Sequence, residues 1–333
     1  MSAMQRKEHE QVGKIGFLYP GQGSQKVGMG KELARSNPAL FKRYVMQSDR
    51  VASEPVSRFC LMGPLDVLSQ TQIAQPALFT YSLALTEYAN QLGLVPDMVA
   101  GHSLGEYTAA VAAKVISFQE GISLVSTRGR LMKEQQDERP GAMAAVVGLS
   151  KEALEPLCRE ISRRDLVLVT NWNAPAQLVV SGTESGVQRL VDMLSVRKDI
   201  TVLRLPVKGA FHSPLMAGVQ DAMRELTNEL RWRNPSVPLV ANVSGDTLTS
   251  GEDVHQELVE QITSPVQWVL CVKGLVANGC DTLVELGSGQ VLTKLVRLIA
   301  PQVTAVAIDT PEKLETFAKT QYSSLRRESL QAA

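Results

Sequence analysis

Residues 101–105 read Gly-His-Ser-Leu-Gly. A serine hydroxyl is a weak nucleophile until its surroundings activate it, and this spacing suggests how that is done. Glycines on both sides of Ser103 permit a sharp strand-to-helix turn in which a Cβ at either flank would clash. Such a turn projects the hydroxyl outward at a helix start, where backbone N–H groups can stabilise a developing oxyanion. The strand would be "MVA" before the motif and the helix the alanine-rich "LGEYTAAVAAKV" after it.

An activated serine needs a base, and the chain has only four histidines: His9, His102, His212 and His255. His9 lies in a polar leader. His102 neighbours the serine, and its side chain is expected to leave the turn in another direction. His255 sits in the acidic, helix-like "GEDVHQELVEQ", where a solvated ring is expected. His212, in "KGAFHSPLM", lies between a strand and a helix that opens with Pro214, the kind of strand-end loop where catalytic groups collect in α/β folds. Elimination makes His212 the candidate general base. The group that orients its ring stays open. An acid is usual and a backbone carbonyl can serve, but no acidic residue between Ser103 and His212 stands out.

A second glycine-rich loop, "PGQGSQKVGMG", follows the first apolar run. Lys26 stands where a third glycine would complete G-x-G-x-x-G, and Lys31 is followed by Glu32 rather than by serine or threonine, so neither nucleotide-binding pattern is met. A tight loop there can instead offer a second oxyanion donor from its backbone, with Gln22 as the candidate.

The elements that must position these groups alternate along 333 residues, of which 44% are hydrophobic, enough for a substantial core. "KIGFLYP", "PDMVAGHS", "PLVANVSG" and "DTLVELG" read as strands. "QPALFTYSLALTEYANQLG" and "SFQEGISLVSTRGRLMKEQQ" read as helices, the second with a capping box from Ser117 to Glu120. Residues 139–208 change rhythm to β-α-β-β-α-β, a ferredoxin-like pattern. The predicted fold is therefore α/β: a hydrolase-like core with a mostly parallel sheet, made by residues 12–138 and 209–312, plus an inserted ferredoxin-like subdomain at 139–208. Residues 1–11 and 313–333 are expected to be flexible termini.

Lysine plus arginine balances aspartate plus glutamate, 34 against 34, so no global field favours nucleic acid. Cys60, Cys158, Cys271 and Cys280 form no metal-ligand spacing and read as reduced, mostly buried thiols. No stretch approaches ~20 consecutive apolar residues. A cytoplasmic protein without membrane contact and without a metal is expected.

Several strings, taken together and in order, extend the reading. "FLYPGQGSQ", "TQIAQPALF", "GHSLGEYTA", "GAMAAVVGL", "NAPAQLVVSG", "GAFHSPLM", "SPVQW" and "LVELGSGQVLTKL" resemble those of malonyl-CoA:acyl carrier protein transacylases, including stand-alone acyltransferases of polyketide synthases. The resemblance covers about residues 14–310. It implies transfer of a malonyl group from malonyl-CoA, through an ester on Ser103, to the phosphopantetheine thiol of an acyl carrier protein. No metal or redox cofactor is implied, and a monomer is expected. By position, the resemblance makes His212 the partner base and the backbone N–H groups of Gln22 and Leu104 the oxyanion hole. It makes Arg128 the carboxylate-binding arginine, Gln261 the glutamine whose backbone carbonyl orients the histidine, and Asn173 an asparagine lining the cleft between domains. Phe211 matches a position where phenylalanine accompanies malonyl selectivity. An arginine suits the task, because a planar guanidinium can grip a free carboxylate with two parallel hydrogen bonds. Arg130 lies two residues away and is the competing choice. The loop after "VEL" reads Gly287-Ser288-Gly289, where the family usually has Gly-Pro-Gly. Carrier proteins are usually acidic, and "RELTNELRWR" is a candidate basic patch for one.

Two rivals use the same residues: a serine thioesterase or hydrolase of acyl thioesters, and a non-catalytic module that docks a carrier protein.

Overall fold

A computed structural model describes residues 13–322 of the chain; His9 and the two ends lie outside them. Among the described residues, two sheets dominate. The larger is built from β1 (Lys14–Tyr19), β2 (Met98–Gly101), β7 (Leu239–Val240), β8 (Thr247–Leu248), β9 (Cys280–Leu286) and β10 (Thr304–Ile308), in the order β10-β9-β1-β2-β7-β8. All its pairings are parallel except β7 with β8. The smaller holds β3 (Gly141–Val147), β4 (Val167–Ala174), β5 (Gln177–Thr183) and β6 (Thr201–Arg204), ordered β4-β5-β3-β6 and wholly antiparallel. With helices Lys151–Ile161 and Glu184–Ser195 between its strands, this is the ferredoxin-like order expected for the insertion.

Helices cover both faces of the large sheet, which is why β1 and β2 read as continuous apolar runs. The register sets the site. Tyr19 pairs with Gly101 and Ala100 with Val240, so β1, β2 and β7 end at one level. The loops leaving those ends carry Gln22, Ser103 and Asn242. This is the carboxyl end of a parallel sheet, where α/β proteins place ligands.

The structure departs from the sequence reading in several places. The helix expected from residue 75 runs Thr71–Gln91, with Pro76 inside it. At the sixth position the proline has no N–H to give the Gln72 carbonyl, and the packing of this mostly buried helix, against helix Phe118–Glu138 among others, carries it through. A helix at Pro311–Phe317 stands where a flexible tail from residue 313 was expected. Leu314 and Phe317 tie it to the core. The helix after His212 does open at Pro214, first as a 3-10 turn, Pro214–Met216, with Phe211 and His212 in the turn before it. Ser288, in place of the usual proline, is fully buried, and its hydroxyl has no partner. All four cysteines are buried and free.

Candidate active site

The turn around Ser103 is as tight as its glycines suggested. A Cβ on Gly101 would lie 1.9 Å from the carbonyl of Gly105, and one on Gly105 would lie 2.0 Å from the carbonyl oxygen of Tyr19. Ser103 itself has φ 53° and ψ −108°, a conformation that L-residues rarely adopt and that costs ~1–3 kcal/mol. Side chains pin both of its peptide groups. The Ser103 N–H donates to Asn242 Oδ1 at 2.7 Å, and the Ser103 carbonyl accepts from Gln261 Nε2 at 3.0 Å. Asn242 Nδ2 also donates to the Gly101 carbonyl at 2.6 Å.

His212 reaches the serine from 109 positions further along the chain, its Nε2 2.7 Å from Ser103 Oγ. On the other side of the ring, Nδ1 faces the backbone carbonyl of Gln261 at 2.7 Å. A carbonyl can only accept, so Nδ1 carries the hydrogen and Nε2 is left as the lone pair that faces the hydroxyl. The ring is 3% exposed. Burial first, then the nearby Arg128 charge, push its pKa down to about 3, which keeps it neutral and ready to take a proton.

Arg128 lies on helix Phe118–Glu138, whose start is fixed by the Ser117–Glu120 capping box. Its guanidinium is 1% exposed. It donates to Gln75 Oε1 at 2.8 Å, to Gln261 Oε1 at 3.2 Å and to Ser103 Oγ at 3.3 Å, and it sits over the Tyr107 ring. Its Nε is buried with no partner. Burial lowers its pKa, but a guanidinium so basic stays charged. Arg130 is two residues on, roughly 200° around the helix. It is exposed and paired with Glu134, away from the serine.

The amides of Gln22 and Leu104 make no hydrogen bond among the described residues, whereas the Ser103 amide is taken by Asn242. The Gln22 loop lies against the turn: a Cβ on Gly21 would fall 2.5 Å from the His102 carbonyl oxygen. The Gln22 side chain is turned to Thr71.

Asn173, on β4 of the small sheet, meets His102 across the cleft, with Oδ1 2.8 Å from Nε2. His102 thus points away from the hydroxyl of Ser103, as expected. Phe211 is buried in the large core and its ring packs over Gly209.

Other expectations fare differently. His255 is not simply solvated; it stacks on Trp232 with centroids 4.8 Å apart and bonds Thr227 Oγ1 at 2.9 Å. The basic candidate "RELTNELRWR" begins on helix Ala217–Asn228, and at its end the Arg233 N–H donates to the Val115 carbonyl, beyond the far end of helix Leu104–Ala112, which opens at the turn. Among the described residues no three His, Cys, Asp or Glu side chains are grouped to hold a metal ion.

Sequence reasoning passed over Gln75, Asn242, Glu106 and Glu257. Gln75 lay within "TQIAQPALF", and Glu106 was visible as a lone acid in an apolar helix. Nothing local marked Asn242 or Glu257.

Comparison with known proteins follows the same lines. The acyl transferase domain family matches residues 16–307. Over 310 residues the chain is 37% identical to the malonyl CoA-acyl carrier protein transacylase of Bacillus subtilis (strain 168), covering 93% of this chain and 98% of the relative. The protein of the same name from Escherichia coli (strain K12) is 36% identical over 302 residues, covering 90% and 97%. Among solved structures, an acyl carrier protein S-malonyltransferase from Vibrio cholerae matches with a TM-score of 0.85 at 35% identity, covering 91% of this chain and 99% of that one. A malonyl-transacylase in complex with its type II polyketide synthase acyl-carrier protein matches at 0.87 and 32%, covering 92% and 100%.

Proposed function

The chain belongs to the acyl transferase family, and from that premise we propose that it carries malonyl groups from malonyl-CoA to the phosphopantetheine thiol of an acyl carrier protein, for fatty acid or polyketide synthesis. One observation carries the reading furthest. A buried guanidinium stands 3.3 Å from a serine hydroxyl that is itself 2.7 Å from a neutral imidazole. That pairs a nucleophile with a fixed cation for the far end of a charged acyl group.

In the proposed sequence, His212 Nε2 takes the hydroxyl proton as Ser103 Oγ attacks the thioester carbonyl of malonyl-CoA. The negative charge that forms on the carbonyl oxygen is met by the free amides of Gln22 and Leu104. Arg128 grips the malonyl carboxylate and so fixes the acyl group over the serine. The intermediate collapses, the C–S bond breaks, and the coenzyme A sulfur leaves with the proton from His212. The carrier's thiol then gives its proton to His212 and attacks the malonyl-serine ester, restoring the hydroxyl. Gln261 orients the imidazole through its backbone carbonyl, so no acid is needed as third member. Asn173 and His102 join the two lobes at the mouth of the cleft, and Phe211 limits substitution on the acyl α-carbon.

Every bond change is handled by these side chains and amides, so the chemistry calls for no metal or redox cofactor. Malonyl-CoA is a substrate, and the phosphopantetheine belongs to the partner. The proposed setting is the cytoplasm, with the chain acting as a monomer. It needs neither nucleic acid nor membrane, and no helix among the described residues is long and apolar enough to cross one.

The test is to mix the protein with malonyl-CoA, with and without phosphopantetheinylated carrier protein. Mass spectrometry then locates the acyl group. A malonyl adduct on Ser103 that moves to the carrier supports transfer. Free malonate released as fast without the carrier would mean a hydrolase. No adduct at all would mean a docking module.

A further inference from the structure

Beneath the serine turn lies a polar cluster that none of these steps uses. Glu106 is fully buried, and Glu257 is 7% exposed. Glu106 Oε1 accepts from the Asn242 N–H at 2.8 Å, and its Oε2 accepts from Gln261 Nε2 at 3.1 Å. Glu257 Oε1 accepts from the Val243 N–H at 2.9 Å. The two carboxyl groups accept from consecutive backbone amides, those of Asn242 and Val243, which sets them close together. Two buried carboxylates so close repel one another, and a single proton held between them removes that clash.

Glu106 therefore holds the two residues that pin the strained turn. Asn242 brackets Ser103 through its amide and the Gly101 carbonyl. Gln261 binds the Ser103 carbonyl and Arg128 with its side chain, and His212 with its backbone. Moving one carboxyl would shift nucleophile, base and cation together.

We propose that Glu106 and Glu257 share one proton and act as a positioning pair, setting the Ser103 turn and the Gln261 side chain at once. This rests on the acyl-transfer reading of Ser103. Neither carboxyl touches substrate.

The ionisable groups facing the pair are few. Arg128 approaches from helix Phe118–Glu138, Tyr107 lies beside Glu106 on its own helix, Cys271 comes from helix Trp268–Ala277, and Glu260 follows Glu257. Burial holds Tyr107 at about 12 and Cys271 well up, so both stay neutral. Burial, and for Glu106 the neighbouring Glu257 charge, raises both carboxyls above the ordinary 4.5. The unfolded chain gives up that proton near 4.5 while the folded pair keeps it. The pair's contribution to stability is therefore greatest below about 4.5 and is lost as pH rises toward the folded value.

The substitutions E106Q and E257Q separate the roles. At position 257 a glutamine keeps its carbonyl on Val243 and offers its amide to Glu106, imitating the protonated acid. At position 106 both oxygens already accept from N–H donors, so an amide must oppose one of them. The expected loss in kcat/KM is about tenfold or more for E106Q. It falls in kcat with KM held within about twofold, and E257Q loses at least about fivefold less. Infrared difference spectra of wild type minus E257Q, and of wild type minus E106Q, should each show one protonated carboxyl near neutral pH. The Tm of wild type should fall more between about pH 5 and pH 8 than that of E257Q. Equal kinetic losses, no carboxyl band in the difference spectra, or parallel Tm curves would overturn the pair. Should E106Q not fold, the E257Q spectrum and Tm curve still decide. S103A keeps the failures apart: it should abolish transfer while leaving the carboxyl band, whereas transfer surviving in S103A refutes the acyl-serine reading instead.

Discussion

The Ser103 hydroxyl and the His212 ring, 2.7 Å apart, both hang from backbone with positive φ, 53° and 57°. Two strained residues thus aim at one another across the ends of the large sheet. Strain of this kind persists only where surrounding contacts over-determine it. Here Asn242, Gln261 and the Gln261 carbonyl provide those contacts.

Replacing Arg128 with alanine should cripple malonyl transfer far more than transfer of an uncharged acetyl group. Losing charge-assisted hydrogen bonds to the carboxylate is worth about 3 kcal/mol, or on the order of 100-fold in kcat/KM. Parallel assays with malonyl-CoA and acetyl-CoA measure the ratio. Equal losses on both would remove Arg128 as the carboxylate clamp.

The buried imidazole makes a pH prediction with a definite sign. Folded, His212 is pushed down to about 3, against an ordinary 6.5. The acid limb of kcat/KM, which reports the free enzyme, should fall well below the usual histidine range. Bound malonyl neutralises Arg128, the second cause of the shift, so the acid limb of kcat should lie at higher pH than that of kcat/KM. Stability follows the same linkage. Below about 6.5 the unfolded chain binds a proton that the folded ring refuses, so stability falls as pH drops from there toward 3. H212A should flatten that slope in a plot of Tm against pH.

The flanking glycines leave no room for a methyl group. Gly101→Ala and Gly105→Ala each drive a Cβ into backbone atoms at about 2 Å. A destabilisation of about 3 kcal/mol is expected, with loss of the malonyl adduct on Ser103. Thermal melts and intact-mass analysis report on the two. Wild-type stability with full adduct formation in either variant would show the turn to be looser than its geometry.

Phe211→Ser should raise methylmalonyl use relative to malonyl by roughly 1–3 kcal/mol of discrimination. The ring is also buried, so a lowered Tm will accompany the change. The ratio of the two kcat/KM values is insensitive to the fraction folded. An unchanged ratio takes Phe211 out of the specificity argument.

Much of this protein is written locally. The turn around Ser103 follows from two glycines between an apolar run and an alanine-rich segment, because strand, turn and helix signals act over a few residues. His212 followed from scarcity, since only four histidines were on offer. The Ser117 capping box and the ferredoxin-like rhythm of 139–208 are local patterns of the same kind. Which partners those residues meet is another matter. Helical phase buried Arg128 and exposed Arg130, but only the packing of Thr71–Gln91 brought Gln75 to its guanidinium. Asn242 and Glu257 lie 139 and 154 residues beyond Ser103; the register of β7 carries the first beneath the turn, and the packing of helix Gly251–Glu260 carries the second. Hydrogen bonds between such distant positions leave no periodicity to read. Only the assembled fold, burying their polar groups together and forcing each donor to find an acceptor, decides that they form one network.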